Sequence, residues 1–269
     1  MLLTVDVGNT NIVLGLFDGG QGGGQGGTRK DATLLHDWRM RTEARMTADE
    51  MALTVRGLLG EYSGKITGIA ALSTVPALLR ELKVMVDRYW PQLPRVIVEP
   101  GVRTGVPLLY DNPRELGADR IVNTLAAYTL YGGPAIVVDF GTSTNFDVVS
   151  ARGEFLGGAL APGIEISVDA LAARAAQLVK VQLVRPRSVI GKSTVEALQS
   201  GLLFGFAGQV DGLVQRIAAE LAPGAEDDVV VVATGGLAPL LIAESQTITH
   251  HAPHLTLRGL RMVFERNIT

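Results

Sequence analysis

The stretch AIVVDFGTSTNFDVVS, Ala135 to Ser150, decides how the rest of the chain is read. Ile136, Val137 and Val138 form the apolar run of a buried strand, Asp139 stands at its end, a Gly-Thr-Ser-Thr turn follows, and a second strand is expected to begin near Phe146. A bend of this composition suits phosphate. Gly141 lets backbone N–H groups approach closely, Thr142, Ser143 and Thr144 supply neutral donors, and Asp139 can hold a cation that offsets phosphate charge. An ordinary polar hairpin turn fits the same residues.

The opening TVDVGNTNIVLGLF, Thr4 to Phe17, repeats this order: apolar strand, Asp6, Val7, Gly8, then Asn9-Thr10-Asn11, then an apolar strand. Matching Asp6 to Asp139 and Gly8 to Gly141 places one such turn at the head of each half of the chain. The duplication predicts two related α/β domains, 1–130 and 131–269, facing each other across a cleft.

Composition sets the outer limits. The chain has 269 residues, 47% apolar and 19% charged, enough for two substantial cores or one large one. A net charge of −3 with no basic stripe disfavours nucleic acid as the main partner. Without cysteine there are no disulfides or thiolate metal sites, which fits a reducing cytoplasm. The start runs straight into Asp6 with no basic leader, and no apolar stretch of about 18 residues occurs, so a soluble, cytoplasmic protein without a membrane partner is expected.

In chain order, the glycine-rich run Gly19 to Gly27 reads as a flexible loop before a strand at Leu34 to Met40. Thr47 and Glu50 have the spacing of a capping box, opening a helix that ends near Gly60. Ile66 to Val75 is a buried strand ending in Ser73-Thr74, Pro76 opens the next helix, and Arg95 to Pro100 is a short strand. After the second hairpin, Pro162-Gly163 turns into a helix through Val168, Leu171 and Ala175. Ser193 and Glu196 repeat the capping-box spacing before a long helix reaching about Leu221, with Gly201, Gly205, Gly208 and Gly212 on one face and Asp211 and Arg216 interrupting its apolar run. Small residues so spaced admit another backbone, within the subunit or across a dimer. Val229 to Leu240 is a buried strand whose Gly-Gly turn opens a helix. His250, His251 and His254 fit a mobile C-terminal loop better than a metal site.

Between the halves, Gly117-Ala118-Asp119-Arg120 leads into a helix with Ile121, Val122, Leu125 and Ala126 on its apolar face. Asp119 can serve as a cap that complements the helix dipole, with Arg120 a surface partner. It can equally serve as a general base, with Arg120 holding an anionic group. The chain has no GxxxxGK[ST] loop, and its histidines lie away from every motif above.

DVGNTN at Asp6 to Asn11, GADR at Gly117 to Arg120 and DFGTSTN at Asp139 to Asn145, in this order and at these spacings, resemble the type III pantothenate kinases of the acetate and sugar kinase/Hsp70/actin superfamily. The similarity extends to GGALAPGI at Gly157 to Ile164, to TGGLA at Thr234 to Ala238 and to the closing TLRGL near Gly259. It implies two ribonuclease-H-like, actin-like ATPase domains of mixed sheet flanked by helices. It also implies ATP-dependent phosphorylation of pantothenate, the first step towards coenzyme A, usually by a homodimer.

Position by position, the resemblance makes Asp6, Val7, Gly8, Asn9, Thr10, Asn11, Ile12 and Val13 the first phosphate loop, with Asp6 near the γ-phosphate and its divalent cation, Mg2+. Asp119 would accept the proton of the pantothenate hydroxyl, and Gly117, Ala118, Asp119 and Arg120 would line the pantothenate site together with Tyr110. Asp139 would coordinate a monovalent cation, K+ or NH4+. Thr142 would contact ATP, and Thr194 matches a further substrate contact. Two departures from the family pattern stand out: the glycine-rich insertion after Asp18, and Ala252 where an acid is usual. A non-catalytic regulatory homologue and a kinase for another small hydroxy acid or sugar are the alternatives.

Overall fold

The computed structural model describes residues 1–18, 32–174 and 181–268. The glycine-rich run and Ala175 lie outside the described residues. The chain divides into two compact units, one of residues 1–106, 111–130 and 255–269, the other of residues 107–110 and 131–254.

Unit 1 is built on a five-stranded mixed sheet of β1 (Leu2–Val7), β2 (Asn11–Phe17), β3 (Leu34–Arg41), β4 (Gly68–Ser73) and β5 (Arg95–Ile97), in the order β3-β2-β1-β4-β5. β1 pairs antiparallel with β2 and parallel with β4, which leaves Asp6 opposite Val13 and Leu72. The period of two along β1 sends Leu3, Val5 and Val7 to one face, where α1 (Ala48–Leu59) and α2 (Pro76–Tyr89) bury Met51, Val55, Leu82 and Met85 against them. The complete Thr47–Glu50 capping box starts α1, and Pro76 occupies the first turn of α2.

The opposite face of the same sheet receives α7 (Leu255–Ile268). Gly68 lies under the Phe264 ring and Gly15 under Leu257, so that face carries small residues where the helix comes close. α3 (Ala118–Tyr131) is tied to α7 by Thr256 Oγ1 donating to Asn123 Oδ1 at 2.9 Å.

Unit 2 repeats the plan with β6 (Ala135–Phe140), β7 (Ser143–Val149), β8 (Phe155–Pro162), β9 (Val230–Thr234) and β10 (His250–His251), in the order β10-β9-β6-β7-β8. Read from β8, this is the strand order of unit 1 with the same parallel and antiparallel pairings. Ile136, Val138, Phe140 and Phe146 face α4 (Ile164–Arg174), α5 (Thr194–Leu221) and α6 (Ala238–Ile242).

Three local expectations are corrected. β7 begins at Ser143, not near Phe146, so the turn is only Gly141-Thr142. His250 and His251 are a strand paired parallel with Val232 and Ala233, where a loop was expected. Ser193 Oγ does accept from the Glu196 N–H, but the Glu196 carboxylate turns to the Arg187 guanidinium at 2.6 Å and the Lys192 N–H, so only half of that capping box forms. Asp211, which broke the apolar run of α5, has a positive use: it accepts from Ser245 Oγ at 2.6 Å and from the N–H groups of Gln246 and Thr247, fastening the segment after α6 to α5.

Candidate active site

The first turn, Gly8 to Thr10, is closed by the Gly8 N–H donating to Asn11 O at 3.0 Å. Its carbonyl oxygens are occupied from two neighbouring strand ends. Thr42, just past β3, donates its hydroxyl to Gly8 O at 2.7 Å and its N–H to Thr10 O at 3.0 Å, while Thr74, just past β4, donates its N–H to Val7 O at 3.0 Å. Asn9 and Thr10 are exposed at the tip, Val7 and Ile12 are fully buried beneath it, and Asp6 and Val13 are half-buried partners on the face opposite α1 and α2.

The second turn is built differently. Gly141 N–H donates to Ser143 O at 3.0 Å, and two other segments press their backbone against the bend. A Cβ at Gly163, between β8 and α4, would stand 2.3 Å from Thr142 O. One at Gly235, after β9, would stand 2.5 Å from Phe140 O and 2.7 Å from Asp139 Oδ1. Only glycine fits at either place. The Asp139 carboxylate therefore lies close to the Gly235 backbone, at a position paired with Asn145 on β7 and Thr234 on β9. Thr142 is exposed at this tip.

Of the three hydroxyls expected to serve this turn, only Thr142 remains in it. Ser143 Oγ donates to Asn145 Oδ1 at 2.8 Å, and Thr144 is fully buried in β7 on the Phe146 face, with no hydrogen-bond partner for its Oγ1. A polar residue at a buried strand position looks like turn sequence, which is why the strand start was read too late.

Asp119 is the second residue of α3, in unit 1 with the first turn. Its side chain folds back over Gly117, where a Cβ would meet Asp119 Oδ1 at 2.4 Å, and it accepts from its own N–H and that of Arg120. That is helix-capping geometry. Burial nevertheless pushes the carboxyl above its ordinary range, against the downward pull of those N–H groups and of the Arg120 guanidinium. A carboxylate with raised proton affinity, next to an arginine, can take a proton from an alcohol beside an anionic group.

The remaining expected residues fall in unit 2: Tyr110 on the segment laid against β8, and Thr194 as the exposed first residue of α5. Among the described residues, no group of three or more His, Asp or Glu side chains stands together as a metal site. No described helix is long and apolar enough to cross a membrane. Sequence reasoning missed Thr42, whose role depends on β3 ending level with the first turn. A threonine directly after a predicted strand is too common to single out.

Residues 2–216 match the family model described as type III pantothenate kinase. The chain belongs to the type III pantothenate kinase family. Among relatives bearing that name, one from Saccharopolyspora erythraea is 68% identical over 99% of both chains, and one from Rhodococcus erythropolis is 67% identical over 99% of this chain and 96% of its own. Solved structures share the fold at low identity. A conserved putative Baf family transcriptional activator from Campylobacter jejuni has a TM-score of 0.60 at 20% identity, covering 99% of this chain and 98% of its own. The activator of the 2-hydroxyisocaproyl-CoA dehydratase from Clostridium difficile, with bound ADPNP, has a TM-score of 0.57 at 12% identity, covering 99% of this chain and 95% of its own. The two mixed sheets flanked by helices are thus those of the actin-like ATPase fold expected for the family.

Proposed function

We propose that the chain transfers the γ-phosphoryl group of ATP to the primary hydroxyl of pantothenate, the first step towards coenzyme A. The observation that carries the reading, beyond family membership, is the Asp119 carboxyl at the start of α3, pushed upward by burial and flanked by Arg120. Phosphoryl transfer asks a protein to position two reactants and neutralise charge rather than to supply a strong nucleophile. Each turn is suited to one part of that task.

At the first turn the carbonyls of Val7, Gly8 and Thr10 are engaged by Thr42 and Thr74, which favours an outward face of donors for the nucleotide's phosphates. Asp6 would hold Mg2+, an ion that needs only one or two protein carboxylates when the phosphates supply further oxygens. When bound, Mg2+ supplies charge neutralisation to the transferring group. At the second turn Asp139, whose Oδ1 lies with Phe140 O beside the Gly235 backbone, would hold the monovalent cation, K+ or NH4+. Thr142 would contact the nucleotide. Gly117 to Arg120, Tyr110 and Thr194 would bind pantothenate, with Asp119 as the proton acceptor. Gly201, Gly205 and Gly208 are exposed on α5, with no described atom within 4 Å of a Cβ there, and this bare stripe supports the expected homodimer. A cytoplasmic location fits a cysteine-free kinase for a soluble metabolite.

A coupled ADP-release assay tests the reading. Turnover is expected with pantothenate and ATP, not with a panel of sugars and other hydroxy acids, and is expected to fall when K+ or NH4+ is exchanged for Na+. Preference for another acceptor would overturn the substrate, and absence of turnover with every acceptor would favour the regulatory alternative.

A further inference from the structure

Pro107 to Tyr110 belongs to unit 2, although the chain up to Val106 and from Asp111 belongs to unit 1. This short excursion is pinned to the start of β8. The Leu109 N–H donates to Phe155 O at 2.9 Å and the Phe155 N–H to Pro107 O at 2.9 Å, forming a parallel bridge between Leu108 and Phe155. Two bonds to one residue fix where the segment sits along the strand.

The Tyr110 ring then meets the fully buried Phe155 ring edge-on, with centroids 5.7 Å apart and planes at 71°. This is the favoured T-shaped arrangement of an aromatic pair. The same ring lies over Gly157, where a Cβ would stand 3.8 Å from it. At 36% exposure, Tyr110 is not enclosed by this contact and can still meet a ligand.

We infer that Phe155 is a positioning residue for the acceptor: its ring, with the bare backbone at Gly157, forms a seat that holds Tyr110 in one orientation. The acceptor thereby meets a rigid aromatic wall rather than a mobile side chain. The inference rests on the reading that Tyr110 lines the pantothenate site. A side chain ordered before binding loses less entropy when the ligand arrives, so loosening the seat weakens acceptor binding and leaves nucleotide binding alone.

Phe155→Leu keeps apolar bulk and removes the ring edge. Leu109→Pro removes the N–H that pins the segment, at a residue 55% exposed and outside the core, so it tests the seat even where Phe155→Leu does not fold. In steady-state assays varying each substrate, KM for pantothenate is expected to rise about fivefold in each variant, with KM for ATP and kcat within about twofold of wild type. In a Tyr110→Ala background neither change should raise it further. An unmoved pantothenate KM in the folded variants, a parallel rise in both KM values, or effects that multiply with Tyr110→Ala would each overturn the inference. Wild-type protein that turns over a different acceptor instead of pantothenate would overturn the underlying reading, a result separable from all of these.

Discussion

The two hairpins differ far less in their strands than in their bends. β1 and β6 bury the same positions and place an acid next to last, and β2 and β7 likewise bury the same pattern. Yet three residues separate β1 from β2 and only two separate β6 from β7. The first turn is propped by donors, Thr42 and Thr74, while the second is crowded by oxygens and held by glycine backbones at 163 and 235. One repeated strand plan thus carries two differently built bends, which the proposed function assigns to an anion at the first and a cation at the second. Further down the strands, Gly15 of β2 makes room for Leu257 of α7, whereas Asp147 occupies the corresponding place on β7, fully buried. The strands set position, and the short segments around the bends set chemistry.

The comparison is tested first by exchanging each acid for its amide. Asp6→Asn is expected to lower kcat by about a hundredfold under every monovalent cation, because it weakens the hold on the divalent cation proposed to neutralise the transferring phosphate. Asp139→Asn should instead blunt the difference between K+ and Na+. Identical responses of the two variants to the cation would break the assignment of polarities.

A second pair addresses the bends themselves. Gly163→Ala drives a Cβ to 2.3 Å from Thr142 O and is expected to cost about 1–3 kcal/mol of stability. Gly8→Ala meets Asn11 O at 3.0 Å and should cost less, under about 1 kcal/mol. Urea midpoints at unchanged slope measure both, and the reverse order would contradict the crowded second turn.

Thr42→Val asks whether the prop matters to the first turn alone. Loss of the 2.7 Å bond to Gly8 O is expected to cost about 1 kcal/mol and to raise KM for ATP a few-fold, with KM for pantothenate unchanged. Finally, the acid limb of the pH profile of kcat/KM should lie above the roughly 3.9 of an ordinary aspartate, because burial raises Asp119. A limb at or below that value would remove burial as the tuning device.

The hairpins were legible because strand alternation, a terminal acid and a glycine coincide within a few residues, twice. The start of β7 was not, since Thr144 is polar and buried together and composition cannot separate that from a turn. β10 was missed for a related reason: His250 and His251 are held by backbone pairing to β9, which leaves no apolar trace in the side chains. The half-formed box at Ser193 shows the limit of spacing rules, because Arg187 competes for Glu196 from outside the motif. The Thr42 contact with the first turn and the Tyr110–Phe155 ring pair depend on register, a property of paired strands rather than of a linear pattern.

Asp119 is the proposed acceptor of the hydroxyl proton, and its amide variant puts that role to the sharpest test. Its raised proton affinity means that stability from this group is present below the ordinary aspartate range and lost as pH rises through the folded-state value. Asp119→Asn should therefore melt at or above the wild-type temperature at neutral pH. In the ADP-release assay with pantothenate, this folded variant is expected to lose about 10²–10⁴ in kcat. Wild-type turnover by Asp119→Asn would contradict it.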